Sequence, residues 1–193
     1  MKKKAMFFTI DVFIAMSVLL IGVFVFFAYY SYEVPKAQAV SYTSDIQGLF
    51  ATTTIADLNP YALPYVKRYL EDHNITRKEN TIFTQIAEFY YRYTKGCSYC
   101  LNESIVNFTT DISKKMITEQ YAMKILLYPD PLAYDPYDPS TSLELFTWSG
   151  ASSLSKTDEN KAKTLFSSKT IVSGLYNDTE FYGPYIIEVR VWQ

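Results

Sequence analysis

Histidine is all but missing from this chain of 193 residues: His73 is its one copy, set among Glu71, Asp72, Arg77 and Lys78, a charged stretch that reads as plain surface. Cysteine numbers two, Cys97 and Cys100. A structural zinc takes about four N, S or O ligands, and one histidine with one cysteine pair falls short of that set. No metal site is therefore expected. Glycine is scarce, with six residues, and none of them builds a Gly-rich phosphate loop or a G-x-S-x-G elbow. No internal repeat is present. Charge of one sign is also lacking: 18 Lys and Arg stand against 20 Asp and Glu, for a net charge of −2. The chain offers no basic face to a nucleic acid. These absences leave no cofactor expected and no support for an enzyme.

What the chain does have is concentrated at its start. Lys2, Lys3 and Lys4 precede a short apolar step from Met6 to Ile10, then a single carboxylate, Asp11, then Val12 to Tyr30 without a charge. As a helix, that uncharged run reaches about 28 Å, close to the thickness of a hydrocarbon core. A transmembrane helix is predicted, with the lysines holding the N-terminus in the cytoplasm and everything beyond Tyr30 facing out. Asp11 is unusual because the run from Val12 already suffices to span, yet apolar residues resume on its N-terminal side.

Three readings fit this segment. A cleavable secretory signal would use Ala37-Gln38-Ala39 as its cut, but the apolar run is long for such a signal. A plain uncleaved anchor would leave Asp11 at the cytoplasmic interface, where a charge costs little. In the third, a basic leader ending in a small residue, Lys3-Lys4-Ala5, is removed on the cytoplasmic side and leaves an apolar helix with an acid near its new end. On residues 2–30 the chain resembles archaeal type IV pilin-like proteins with a class III (prepilin) signal peptide. The resemblance implies cleavage after Ala5, exposing Met6, with a sheet-bearing head beyond the helix. A cut after Met6 would place Asp11 fifth in the mature chain, as in the bacterial pattern, but lacks the small residue. The resemblance also implies that Asp11 pairs with the freed amine of a neighbouring subunit. Unit charges ~4 Å apart at an effective dielectric of 20 attract by about 4 kcal/mol before desolvation is subtracted.

Marks of an external head follow. Seven Asn and 34 Ser or Thr predict about 1.2 N-x-Ser/Thr triplets by composition. Four are present, at Asn74, Asn102, Asn107 and Asn177, all beyond the helix. They point to N-glycosylation of an extracellular surface. An external C-x-x-C pair such as Cys97 and Cys100 reads as a disulfide staple. The alternative is a reactive Cys97 at the start of a helix near Asn102; against it, the motif follows a predicted helix and not the strand of a βαβ unit, and Lys95 is its only cationic neighbour.

Periodicity supplies the rest. The first helix is expected to continue from Ser31 to about Ala51, with Pro35 able to kink it and Thr52-Thr53-Thr54 ending it. Pro64 suits the first turn of a helix over Tyr65 to Glu71. Asn80 is the expected cap of a helix carrying Ile82, Phe83, Ile86, Phe89, Tyr90 and Tyr93, and a further helix runs from Glu103 to Ile117. From Tyr121 the period drops to 2, predicting strands over Tyr121 to Tyr128, Leu143 to Trp148, Thr170 to Tyr176 and Tyr185 to Gln193, the last with Glu188 and Arg190 turned away from the core. Residues 129–142, with four prolines and with Asp130, Asp135 and Asp138, read as a stiff solvated loop. The spacing of the acids also admits calcium. Ser149 to Lys163 reads as a second connection, with a short helix over Lys161 to Phe166.

The expected architecture is α+β: a leader over residues 1–5, a transmembrane and assembly helix over 6–30, and an extracytoplasmic head over 31–193 whose antiparallel sheet has about four strands. The expected role is structural, in a surface filament or an adhesion or secretion complex. Its partners would be membrane lipid, copies of itself or other pilin-like subunits, and a prepilin peptidase, with no nucleic acid among them. The 18 Tyr and 13 Phe permit assembly or adhesion surfaces. A single-pass surface glycoprotein that never polymerises, or an anchored thiol oxidoreductase using Cys97, are the alternatives.

Overall fold

The computed structural model describes residues 2–117, 121–135, 138–149, 159, 162, 165–177 and 179–192, with the side chains of 2–11, 30–40, 139 and 149 outside that description. The chain divides into two compact units, Met1–Val40 and Ser41–Gln193. Helix α1 (Lys2–Thr52) makes up the first unit and contributes its last dozen residues to the second; it is helical through Pro35.

The second unit, the head, is α+β. Helices α2 (Pro64–Glu71), α3 (Ile82–Thr94) and α4 (Val106–Met116) precede strands β1 (Ala122–Tyr128), β2 (Leu143–Ser149), β3 (Leu165–Tyr176) and β4 (Glu180–Trp192). All pairings are antiparallel and the order is β2-β1-β4-β3, so the first and last strands meet at the centre.

Each helix starts where its residues satisfy the orphan N–H groups. Pro64 occupies the first turn of α2, and the N–H groups of Tyr65 and Val66 donate to Asp111 Oδ2 of α4 at 2.6 and 3.3 Å. A carboxylate from another helix thus caps α2. The cap of α3 is Thr81, whose Oγ1 accepts from the Thr84 N–H at 3.2 Å. Asn80, the expected cap, is instead buried, with Nδ2 donating to Glu88 Oε2 at 2.8 Å and to Gln85 Oε1 at 3.2 Å. The run expected as one helix from Glu103 begins as a π-helical stretch, Cys100–Ile105, before regular α4.

Ile46 and Phe50 of α1, Ile82, Phe83, Ile86 and Phe89 of α3, and Phe108 and Ile112 of α4 form the core with Met123, Ile125 and Leu127 of β1 and Ile187, Val189 and Val191 of β4. At about 25 cal/mol per Å² of apolar area removed from water, this burial is the main term holding the head together. Residues Ser41–Thr52 are tied down by Tyr42, which stacks on Tyr121 (ring centroids 4.7 Å apart) and donates to the Met116 carbonyl at 2.9 Å. Gln47 donates to the Lys169 carbonyl at 2.8 Å, covering one outward carbonyl of the edge strand β3.

Strands β3 and β4 are longer than their alternation shows, and β3 includes Phe166, which the sequence assigns to a helix; Lys161, Lys163 and Thr164 lie outside the described residues. The hairpin is closed by the Tyr176 and Glu180 pair. Near it, Tyr182 is buried across from Gly174 and donates to the Thr84 carbonyl at 3.1 Å. A Cβ on Gly174 would run into the Tyr182 ring and hydroxyl, which are held by that bond. Gly174→Ala is expected to cost about 1–3 kcal/mol through overpacking, read as a lower midpoint in denaturant unfolding.

Candidate functional site

The most exposed apolar surface belongs to α1. From Val12 to Tyr29 the mean hydropathy is 2.6 and the segment is long and apolar enough to cross a membrane, with none of its residues buried. Phe13, Phe24 and Phe26 are each exposed by about two thirds or more. The one hydroxyl within the stretch before Tyr29, Ser17, is satisfied locally by donating to the Phe13 carbonyl at 2.8 Å. Soluble monomers rarely leave so large a contiguous apolar patch in water. Lys3, Lys4, Ala5, Met6 and Asp11 lie in the helical backbone of α1, and their side chains fall outside the described residues.

The cysteines sit at a corner. Helix α3 ends with Gly96 at φ +103, the Gly96 N–H donating to the Tyr93 carbonyl and the Cys97 N–H to the Arg92 carbonyl, both at 3.0 Å. This is a Schellman motif, and the left-handed residue it needs is the glycine. Cys97 emerges beside Cys100, whose N–H donates to the Cys97 carbonyl at 3.2 Å, and the two are disulfide bonded. The bond joins the exit of α3 to the π-helical start of α4. A shallow cleft of about 270 Å³ lies beside it, lined by Arg92, Lys95, Cys97, Tyr99 and Tyr176. Its cations are engaged: Arg92 donates to Asn74, and Lys95 pairs with Glu180 at 3.6 Å and lies over the Tyr91 ring.

The four sequon asparagines differ in setting. Asn74 is half-buried, with Oδ1 accepting from Arg92 at 3.4 Å. Asn102 is exposed in the π-helical stretch, while Asn107 is half-buried on α4. Asn177 is exposed at φ +49 in the β3–β4 turn. Among the described residues no group of three or more His, Cys, Asp or Glu could hold a metal ion. In the 129–142 loop, Asp130 and Asp138 accept the N–H groups of Leu132 and Ser140 at 2.9 and 2.8 Å, spending carboxylate oxygens on the loop itself.

Sequence reasoning missed a charged cluster on the sheet face opposite the helices. Lys124 and Arg190 are direct cross-strand partners in β1 and β4, and Glu159 bridges them, at 3.2 Å from Lys124 Nζ and 2.8 Å from Arg190 Nη1. Two cations set opposite each other repel; the carboxylate resolves this. Glu188 is turned away from the helices, as its alternation predicts, yet is 2% exposed, and it accepts from Arg190 Nε at 2.8 Å and from Tyr128 at 2.7 Å. Burial pulls its carboxyl upward, but the bonds from Arg190 and Tyr128 and the nearby positive charge outweigh it and hold the group below the usual carboxylate range. Burial and that same bond push the Tyr128 phenol up to about 12. Tyr134 from the 129–142 loop packs edge-on against Tyr128, and Lys169 lies over Tyr134. The cause of the miss is topological: β2 and β3 both intervene in sequence between β1 and β4, and nothing local says that these two pair.

No protein-family model, curated protein or solved structure matches this chain.

Proposed function

We propose that this protein is a pilin-like structural subunit, held in the membrane by α1 and displaying the head outside the cell, with its leader removed near Ala5 and its helices packing with those of other subunits. The observation that carries the reading is the uncovered apolar stretch from Val12 to Tyr29 ahead of a separately packed α+β head. An apolar helix whose side chains are exposed is stable in lipid or against other helices. The basic residues on one side of the stretch and the four sequons on the other support an outward head. The joined cysteines fit a staple, and the satisfied charges on the sheet fit a head built to be stable.

Asp11 is the residue that separates a filament subunit from a passive anchor. Asp11→Ala is expected to leave membrane insertion intact, since it removes a charge from the end of an apolar helix, and to reduce assembled filament or complex by at least ~10-fold, because an attraction of a few kcal/mol per subunit contact is lost. Fractionation of cells followed by shearing and filament recovery measures both. Wild-type assembly by the variant would contradict the pilin-like reading and favour a surface glycoprotein that does not polymerise.

A further inference from the structure

The tip of the β3–β4 hairpin carries apolar side chains that are exposed among the described residues. Leu175 and Phe181 are direct cross-strand partners, 44% and 61% exposed. The next pair toward the turn, Tyr176 and Glu180, faces the other way: Tyr176 packs on Tyr91 of α3, and Glu180 meets Tyr91 and Lys95. Alternation therefore puts Leu175 and Phe181 on the side away from the helices. One residue past the closing pair is Asn177, exposed and left-handed, with the Thr179 N–H closing the turn onto the Tyr176 carbonyl at 3.2 Å. A sequon thus stands at the rim of an exposed aliphatic and aromatic pair.

The four sequons are not equivalent, because each needs its hydroxyl presented together with its amide. In Asn102-Glu103-Ser104 and Asn107-Phe108-Thr109 the hydroxyl residues, Ser104 and Thr109, are buried, at 1% and 0% exposure. Helical backbone separates them further, since residues two apart on a helix do not face each other. Thr76 is exposed, but the amide of Asn74 is held by Arg92. Only at Asn177 and Thr179 are both residues exposed and in a turn.

We propose that an oligosaccharide linked to Asn177 is the occupant of this hairpin face, with its first sugar lying against Phe181 and Leu175, and that Asn177 is the preferred acceptor of the four. This rests on the outward-facing reading of the head. A sugar ring has an apolar C–H face and a hydroxylated rim, which suits an aromatic and aliphatic pair at a wet surface. The transfer forms a bond from Asn177 Nδ2 to C1 of the first sugar as the C1–O bond to a polyprenyl-linked phosphate donor breaks. The electron pair leaves with the phosphate oxygen, and one amide proton passes to a base of the transferase; nothing is oxidised or reduced.

Glycopeptide mass spectrometry of the protein from its native membrane is the test of the acceptor. The expected result is sugar on Asn177, several-fold more occupied than Asn74, Asn102 or Asn107. Equal or greater occupancy at any of those three overturns the preference while leaving an outward head in place. Absence of sugar at all four also overturns the proposal, and protease digestion of intact cells then shows whether the outward reading falls with it: a protected head means that it does. The packing is read separately by thermal unfolding of the full chain in detergent. Phe181→Ser is expected to lower the Tm of the glycosylated protein by about 2–4 °C and to leave unchanged the Tm of a Thr179→Ala protein, which keeps Asn177 but lacks the sequon. Equal shifts in the two backgrounds overturn the contact between sugar and hairpin.

Discussion

Arg190→Ala should lower the stability of the head by about 3–5 kcal/mol, the cost of leaving one member of a buried ion pair without its partner. The group left behind is Glu188, 2% exposed, which among the described residues would keep the hydrogen bond from the Tyr128 hydroxyl at 2.7 Å and the more distant charge of Lys169. Loss of Arg190 also removes the 2.8 Å bond to Glu159, leaving that carboxylate with Lys124. Chemical denaturation of the full chain in detergent measures the loss. A companion Glu188→Gln/Arg190→Ala protein should recover much of it, because no buried charge then remains unpaired. Equal losses in the single and double variants would show that Arg190 acts through packing alone.

The same cluster sets a pH dependence. Glu188 is held below its unfolded value, so its contribution is present above that value and is lost as pH falls through the folded one. Glu88 has the opposite sign. It is fully buried on α3 with Oε2 bonded to Asn80, and burial raises its carboxyl despite that bond and the nearby Arg92 charge. Its contribution is present at low pH and is lost as pH rises through the raised value. In Arg190→Ala the Glu188 carboxyl loses the bonds and charge of Arg190 that help to depress it while burial still pushes it up, so the deficit against wild type should narrow as pH falls from the variant's higher folded value toward the depressed wild-type one.

Leu20→Arg is expected to move the protein from the membrane fraction toward the soluble or degraded one. Leu20 lies near the middle of Val12–Tyr29, and an arginine there costs about 2.5–3.5 kcal/mol on insertion scales, enough to shift the insertion equilibrium by ~100-fold. Val12→Arg, at the end of the stretch where the side chain reaches the interface, should be tolerated. Carbonate extraction of membranes distinguishes the two. Retention of both variants in the membrane would show that α1 is not the anchor.

Much of the fold can be read along the chain because its signals are local. The 3.6 period of Ile82, Phe83, Ile86 and Phe89 and the alternation of Met123, Ile125 and Leu127 place α3 and β1 within a residue or two. The limits are equally physical. Thr81 outcompetes Asn80 as a cap because Asn80 is drawn inward by Glu88. Gln85 and Glu88 look like the solvent side of α3 but are enclosed by the 77–80 turn and the β3–β4 hairpin, a surrounding that no helical period reveals. Lys124, Glu188 and Arg190 look like an outer face, and become a half-buried network around the buried Glu188 through a pairing of the first and last strands and a carboxylate from residue 159. At the candidate site, the apolar stretch of α1 was legible because membrane spanning is a property of length and composition. The setting of each sequon was not, since it depends on whether a neighbouring hydroxyl is turned into the core.

The measurement that bears most directly on the pilin-like reading is the mature N-terminus of the protein from its native membrane, by mass spectrometry of the terminal peptide. The reading predicts a chain that starts at Met6, or at Phe7 if the cut follows Met6. An intact Met1 would contradict leader processing and leave a plain anchored protein, and a start at Val40 would mean that α1 served only for secretion and the head is released.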